Sequence, residues 1–161
     1  MDTSEIEPLH IRRYDPADKR AVRRLHDDAL NEVGAHLGNG PWDEDLDEIE
    51  GAYLESGGEF LVGTLGGEIV AMGALRRTSP ATAEVKRMRV KPALQGHGYG
   101  QRLLDALHDR AAELGYSTLH LDTTVQQLAA RRLYLKNGYR EVGRGGIGPF
   151  ERTFYERGTV A

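Results

Sequence analysis

The amino-acid sequence predicts a mixed α/β fold, classed as α+β in some schemes, with about seven strands and flanking helices. Short runs rich in β-branched and aromatic residues alternate with longer segments whose apolar residues recur at helical spacings of three and four. The predicted order is one strand, two helices, three strands, and then helix, strand, helix and two strands, without an internal repeat. Because 161 residues is the length of one ordinary domain, we expect residues 1–161 to form a single domain.

The composition is that of a soluble globular protein, with 39% hydrophobic and 29% charged residues. A net charge of −4 argues against general nucleic-acid binding, and no apolar run reaches membrane-spanning length. The first eight residues are acidic, unlike the basic and apolar start of a signal peptide. Cysteine is absent, which excludes disulfides, cysteine zinc sites and a cysteine-acyl intermediate, and leaves a cytoplasmic location as the default.

The first half of the chain supplies the elements that precede a glycine-rich loop. Asp15 followed by Pro16 is a typical helix start, since Asp caps the first turn and Pro fits its first position. Gly66-Gly67 separates two strand-like runs, which indicates a hairpin. The predicted elements are a strand at 10–14, a helix from 16, a loop at 34–42, a helix at 43–56, and strands at 59–64, 68–75 and 83–90.

Residues 95–100, with the sequence QGHGYG, form the loop around which the other elements are arranged. Glycine lets the backbone approach a ligand, and the unpaired N–H groups of a following helix start attract anions. The loop has neither the Lys-Ser or Lys-Thr pair of a P-loop nor the spacing of a dinucleotide-binding loop. We expect it to bind a phosphate or pyrophosphate, the alternative being a tight strand-to-helix turn without a ligand. The helix that follows has an apolar face formed by Tyr99, Leu103, Leu107, Ala111 and Leu114.

The remaining predicted elements close the domain. Gly115 ends the helix that follows the glycine-rich loop, and Asn137-Gly138 ends the last helix. The elements are a strand at 117–123, a helix at 126–136, and strands at 139–142 and 153–156 with residues 145–149 between them.

Three segments carry motifs of one known family. Residues 95–100 match the pattern Q/R-x-x-G-x-G/A, and Met88-Arg89-Val90-x-Pro92 matches the strand end before it. Residues 132–139, RLYLKNGY, with Ala130 before them, are similar to the pattern A-x-x-L-Y-x-K-x-G-F/Y. These motifs resemble those of the GCN5-related N-acetyltransferases, the GNAT superfamily, and the resemblance covers essentially the whole chain. It implies the GNAT fold, in which helices flank a mixed and mostly antiparallel central sheet of about seven strands.

The resemblance implies transfer of the acetyl group of acetyl-coenzyme A to a primary amine, by direct attack in a ternary complex. Main-chain groups of Met88 and Val90 are then expected to hold the thioester carbonyl and the pantetheine, and residues 95–100 the pyrophosphate. Many family members have an asparagine where this chain has Gln127, which offers the same amide on a longer stem. The residues expected to contact the cofactor are Met88, Arg89, Val90, Gln95, Gly96, His97, Gly98, Tyr99, Gly100, Gln127 and Tyr134.

Two residues are expected to transfer protons in this reaction. Tyr134 stands where the family often has the tyrosine that protonates the departing thiolate, a step that suits a phenol. Its alternative role is a core aromatic. Glu84 is the predicted base because it lies four residues before Met88, so that strict alternation places both side chains on one face. The alternatives are an ion pair of Glu84 with Lys86, and His120 as the base.

The acceptor cannot be read from the sequence. An antibiotic, a polyamine, an amino acid and a protein amino terminus all remain open, and segments 34–42, 76–82 and 143–151 are expected to be substrate loops. The expected partner is therefore a small-molecule or peptide amine, without nucleic acid or membrane, and the resemblance allows a homodimer. No H-E-x-x-H or comparable spacing occurs, so no metal is predicted.

Two functions other than catalysis suit parts of the sequence. A non-catalytic acyl-coenzyme A sensor or interaction module would keep the fold and the glycine-rich loop. A regulatory domain that binds another phosphorylated ligand would keep the loop but leave the Leu133-Tyr134 segment unexplained.

Overall fold

A computed structural model of the chain describes residues 8–32, 41–124, 127–147 and 150–159. Its strands are β1 His10–Arg13, β2 Glu59–Leu65, β3 Glu68–Ser79, β4 Thr82–Val90, β5 Thr118–Thr124, β6 Arg140–Ile147 and β7 Phe150–Gly158. Its α-helices are α1 Lys19–Glu32, α2 Tyr99–Leu114 and α3 Leu128–Lys136. Within the described ranges, no helix is long and apolar enough to cross a membrane.

The seven strands form one sheet in the order β1-β2-β3-β4-β5-β7-β6, which confirms the predicted fold class. All neighbouring pairs are antiparallel except β4 and β5, which run parallel. The parallel pairing is short and ends where Glu84 lies opposite His120. Beyond this pair β4 continues to Val90 and β5 to Thr124 without further pairing between their described residues, so the two strands separate.

The sheet has a different apolar core on each face. On the α2 face, Leu103, Leu107 and Ala111 of α2 pack against a core that includes Val85 of β4 and Leu119 of β5. The predicted apolar face of this helix is therefore confirmed. On the α1 face, a second core is formed by residues of α1, β2, β3 and the segment after α1, including Val22, Leu25, Phe60, Val62 and Met72.

A β-bulge interrupts β4 at Arg87. Lys86 pairs with Ala74 and Arg89 pairs with Met72, so three steps along β4 match two steps along β3. Arg87 takes up the extra residue with φ 59°, in the left-handed region that residues with side chains rarely adopt.

The bulge inverts the alternation of side chains along β4. Ala83 and Val85 belong to the core of the α2 face, and beyond the bulge Met88 joins the same core. Glu84 alternates with these residues and therefore faces the α1 side of the sheet. The prediction that Glu84 and Met88 share a face is wrong, because alternation does not continue through the inserted residue.

Long-range contacts hold Arg87 in this conformation. Its Nε donates to Oδ2 of Asp45 at 2.9 Å, and its Nη2 donates to the other carboxylate oxygen. The Tyr53 hydroxyl also donates to Asp45. Although burial opposes the ionisation of Asp45, the hydrogen bonds from Arg87 hold its pKa below the ordinary value. The side chains of Arg87 and Asp45 are each only 9% exposed, so this ion pair ties the segment after α1 to β4.

The acidic segment predicted as a helix at 43–56 is helical but is not one α-helix. It consists of a 3₁₀-helix at Pro41–Asp47 and a single π-helical turn at Glu50–Leu54. Its predicted apolar positions, Leu46, Ile49 and Tyr53, are nevertheless all buried. The burial pattern was therefore predictable although the helix type was not.

Two of the expected substrate loops are strands. Residues 76–79 belong to β3, and residues 143–147 belong to β6. In the first case, hydroxyl groups extend the hairpin to its tip, since Thr78 and Ser79 each hydrogen-bond the Thr82 hydroxyl, at 2.8 and 2.6 Å. Most of the third expected loop, at 34–42, lies outside the described residues, as do residues 148–149.

The predicted helix ends are confirmed. Asp15 accepts a hydrogen bond from the Ala17 N–H at 2.9 Å and forms a capping box with Asp18, although the first turn, Pro16–Asp18, is 3₁₀. Gly115 ends α2 with φ 87°, a left-handed conformation that favours glycine.

Candidate active site

A cleft of about 350 Å³ opens where β4 and β5 separate. It is lined by the end of β4, the glycine-rich loop with the first turn of α2, and α3, while Ala29 and Leu30 of α1 line it from the other side. Of the predicted cofactor contacts, all but His97 line this cleft, namely Met88, Arg89, Val90, Gln95, Gly96, Gly98, Tyr99, Gly100, Gln127 and Tyr134.

The glycine-rich loop has the backbone conformation that its composition predicts. Gly96 and Gly98 have φ values of 86° and 83°, and no heavy atom lies within 4 Å of the position that a Cβ would take at either residue. α2 begins directly after Gly98, so its first N–H groups point out of the helix towards the cleft side of the loop. The loop therefore combines accessible backbone with the positive end of a helix dipole.

The side chains of the loop are anchored to the backbone that precedes it. Nε2 of Gln95 donates to the Val90 carbonyl at 3.3 Å, which connects the loop to the end of β4. His97 is exposed, with its Nδ1 2.9 Å from the Leu94 carbonyl and its ring stacked 5.9 Å from that of Tyr99.

Tyr134 lies on α3 with only 5% of its surface exposed, and it lines the cleft. Its ring packs edge-on against that of Tyr139, with the centroids 5.5 Å apart. Burial raises the pKa of Tyr134, and only Arg89 opposes this rise. Tyr134 is thus both a buried core aromatic and a protonated phenol at the cleft, so the two interpretations of this residue are compatible. No described residue hydrogen-bonds its hydroxyl.

A buried hydrogen-bond chain behind Tyr134 was not predicted. Nε2 of His108 lies 2.8 Å from the Tyr139 hydroxyl, and Nη1 of Arg157 lies 3.4 Å from Nδ1 of His108. A guanidinium only donates, so Nδ1 accepts and Nε2 carries the proton of a neutral ring. Burial, together with the charge of Arg157, lowers the pKa of His108 to about 4. These hydrogen bonds fix Tyr139, against which Tyr134 packs. They join three residues that are distant in sequence, so no local motif indicated them.

Glu84 does not line the cleft, since the bulge leaves it on the α1 face at the last β4–β5 pair. Its neighbours there are Lys86, His120 and Asp122. Burial raises the pKa of Glu84 above that of an ordinary carboxyl group, Lys86 opposes the rise, and Asp122 adds to it. Nε2 of His120 lies 2.9 Å from the Thr78 hydroxyl. The sequence-predicted proton acceptor and donor therefore lie on different faces of the sheet.

In the described ranges, no three histidine or carboxylate side chains form a group that could hold a metal ion.

Comparison with known proteins identifies the family. A sequence profile of the acetyltransferase (GNAT) family matches residues 20–139. The chain belongs to this family. The GNAT chain is 40% identical over 92 residues to the IAA acetyltransferase of Azospirillum brasilense, a match that covers 56% of the chain and 59% of that relative. The chain thus spans about three fifths of the length of that relative.

Two further GNAT comparisons cover nearly the whole chain. It is 32% identical over 148 residues to the N-alpha-acetyltransferase RimI of Mycobacterium tuberculosis, covering 88% of the chain and 84% of that relative. It is also similar in structure to yncA of Salmonella typhimurium, which was solved with its cofactor acetyl-CoA. That match has a TM-score of 0.78 at 22% identity and covers 96% of this chain and 95% of yncA, so it shows that the fold is shared.

Proposed function

We propose that residues 1–161 form one N-acetyltransferase domain that transfers the acetyl group of acetyl-coenzyme A to a primary amine, by direct attack in a ternary complex. The observation that carries the proposal is the single cleft at the β4–β5 separation, which brings the glycine-rich loop and Tyr134 together. Membership of the GNAT family supports the same chemistry.

Different parts of the cleft suit different parts of acetyl-coenzyme A. The open backbone at Gly96 and Gly98, with the start of α2, suits the pyrophosphate, because N–H groups at a helix start bind phosphate oxygens. Apolar side chains such as Val90, Leu94 and Leu133 line the cleft and suit the pantetheine. Gln127 immediately precedes α3 and lines the cleft, a position that suits an amide beside the pantetheine. When bound, acetyl-coenzyme A supplies an activated acetyl thioester.

Tyr134 is the proton donor to the departing sulfur. Its burial keeps the phenol protonated at neutral pH, which is the state that a general acid needs before the reaction. Packing against Tyr139, which is itself fixed by His108, holds the ring in place.

Glu84 is the proton acceptor for the amine. An ammonium group cannot attack a thioester until it loses a proton, and a half-buried carboxylate whose pKa is raised by burial is a stronger base than an ordinary carboxylate. From the α1 face beside the last β4–β5 pair, Glu84 serves an acceptor that enters on the side opposite α2. His120 is the second candidate, although its Nε2 already contacts Thr78.

A non-catalytic acyl-coenzyme A sensor is the competing function. The presence of both Tyr134 at the cleft and Glu84 beside it favours the enzyme, because neither group is needed to hold the pyrophosphate. The acceptor is a small-molecule or peptide amine, and the absence of cysteine suits a cytoplasmic enzyme.

The test is amine-dependent release of coenzyme A thiol from acetyl-coenzyme A, measured against a panel of polyamines, amino acids, aminoglycosides and peptide amino termini. We expect at least one amine class to accelerate release above background hydrolysis, and mass spectrometry to find the acetylated amine. If acetyl-coenzyme A binds but no amine accelerates release, the sensor function replaces the enzyme.

A further inference from the structure

Charged side chains from three strands meet on the α1 face where β4 and β5 separate. Glu84 lies opposite His120 in the last pair of the parallel register. Asp122 is two residues further along β5, so alternation places it on the same face as His120, just beyond that last pair. Across the next pair of strands, Asp122 lies opposite Phe154 of β7. Asp122 therefore stands between Glu84 and β7, at the point where the cleft begins.

Arg152 of β7 holds Asp122 from one side. Nη1 of Arg152 donates to Oδ2 of Asp122 at 3.3 Å, and the Arg152 guanidinium lies 4.9 Å from the centroid of the Phe154 ring. The side chains of Asp122 and Arg152 are 27% and 32% exposed, so this ion pair is partly protected from water. The ring contact and the ion pair together keep a positive charge beside the Asp122 carboxylate.

Glu84 lies near Asp122 on the other side. Because Glu84 is paired with His120, Glu84 and Asp122 occupy diagonal positions on one face of neighbouring strands. Asp122 is accordingly among the groups that raise the pKa of Glu84, after burial. The other charged groups that face Glu84 are Arg76 of β3, Lys86 of β4 and His120 of β5. Two adjacent carboxylates bind one proton more tightly than either would alone, because the proton removes their repulsion and forms a hydrogen bond.

We infer that Asp122, held by Arg152, is a positioning residue that prepares Glu84 to take a proton from the ammonium group of a cationic acceptor. The inference rests on the proposed acetyltransferase function and names the group that makes its base effective. No local motif indicates a role for Asp122, because Glu84 is 38 residues away and on another strand.

In the proposed reaction, protons move between the amine, Glu84, Tyr134 and the departing sulfur. One N–H bond of the ammonium breaks, its electron pair stays on nitrogen, and the proton moves to Glu84, where Asp122 accepts a hydrogen bond from it. The neutral nitrogen attacks the thioester carbonyl, and the carbon–sulfur bond breaks. The second N–H proton, lost as the amide forms, replaces the one that Tyr134 gives to the sulfur. Glu84 then releases its proton to solvent.

Two substitutions test the inference because they should shift the Glu84 titration in opposite directions. Asp122→Asn removes a like charge and should move the midpoint to lower pH by about one pH unit. Arg152→Gln removes the cation that offsets Asp122 and should move the midpoint to higher pH by about the same amount. The readout is a carboxyl-carbon NMR titration of the free protein, with the Glu84 signal assigned by its loss in Glu84→Gln.

Matched controls separate charge from structure. Arg152→Lys keeps the positive charge, and Asp109→Asn removes a carboxylate from the exposed side of α2, so both should leave the Glu84 midpoint in place. Thermal melts check that each variant folds. If Asp122→Asn does not fold, Arg152→Gln decides alone, because it leaves both carboxyl groups intact.

Shifts in opposite directions, accompanied by matching shifts in the acidic limb of kcat/KM with an accepted amine, would support the inference. Midpoints that stay unchanged, or that move in one direction for both variants, would overturn it. The proposed function is tested separately, by the release of thiol. Opposite shifts in a protein that releases no thiol with any amine would refute the acetyltransferase function and the proton transfer. They would still show that Asp122 and Arg152 act on the titration of Glu84.

Discussion

The two groups proposed to move protons occupy opposite kinds of environment. Tyr134 lies among aromatic rings on the α2 face, where burial keeps its phenol neutral and where no described residue hydrogen-bonds its hydroxyl. Glu84 lies on the α1 face among charged groups, where burial and Asp122 raise its pKa while Lys86 and His120 oppose the rise. Burial thus dominates at Tyr134, where Arg89 and Asp122 have opposing effects on the pKa of the phenol, whereas several charged groups act on the carboxyl group of Glu84.

The difference follows from one irregularity in β4. Without the bulge at Arg87, Glu84 would share a face with Met88, so the side of β4 that carries Glu84 would also line the cleft. With it, the base lies on the polar side of the sheet and the acid on the apolar side, so donor and acceptor are kept apart. The buried contacts of Arg87 with Asp45 maintain this separation.

The largest effect is expected for Tyr134→Phe. Loss of the phenol should lower kcat on the order of 10–1000-fold, because the thiolate must then leave unprotonated. Acetyl-coenzyme A affinity and melting temperature should change little, since the ring still packs against Tyr139. Steady-state kinetics give kcat, calorimetric titration gives the acetyl-coenzyme A affinity, and a thermal melt gives the melting temperature. Tyr155→Phe is the matched control: it also removes one buried hydroxyl, which has no hydrogen-bond partner among the described residues, and should leave kcat within a few-fold. A normal kcat in Tyr134→Phe with a large loss of stability would make Tyr134 a core residue only.

Glu84→Gln should have the next largest effect. We expect kcat/KM for an accepted amine to fall roughly 10- to 100-fold, since solvent takes over part of the proton transfer. Glu84 must be ionised to accept a proton, so wild-type kcat/KM should fall as the pH drops through its pKa, which burial raises above the ordinary carboxyl value. The variant should lose this acidic limb and keep its acetyl-coenzyme A affinity. An unchanged rate with the same limb would assign the base to another group, with His120 the next to test.

Two alanine substitutions compare glycines of similar conformation. Gly98 and Gly115 have φ values of 83° and 87°, and neither has a heavy atom within 4 Å of its Cβ position. Each substitution should therefore lower the free energy of unfolding by about 1 kcal/mol. Only Gly98→Ala should also weaken acetyl-coenzyme A binding, by about 10-fold, because Gly98 lines the cleft in the loop proposed to hold the pyrophosphate and Gly115 does not line it. Calorimetric titration and denaturant unfolding give the two numbers. Equal affinity of the two variants for acetyl-coenzyme A would show that the loop does not bind this ligand.

The sequence predicted those features that depend on local patterns. The order of elements, the apolar face of α2, the ends at Asp15 and Gly115, and the conformation of the glycine-rich loop all follow from neighbouring residues. The gathering of the loop, the end of β4 and Tyr134 around one cleft came from the family resemblance, since these segments are distant in sequence.

The features that could not be predicted depend on long-range contacts. Nothing in the residues around Arg87 signals a left-handed conformation, because Asp45, 42 positions earlier, holds it there. The position of Asp122 near Glu84 depends on the β4–β5 register, which the sequence does not specify. Strict alternation was the only rule available for β4, and one inserted residue was enough to invalidate it.

The central claim is that the cleft at the β4–β5 separation binds acetyl-coenzyme A, with the glycine-rich loop holding the pyrophosphate. The most direct measurement is a calorimetric comparison of acetyl-coenzyme A with acetyl-pantetheine, which lacks the phosphates. The account predicts binding of acetyl-coenzyme A and affinity for acetyl-pantetheine that is weaker by roughly 100-fold, since several charge-assisted hydrogen bonds are lost. Equal affinity for the two ligands, or no binding of either, would contradict it.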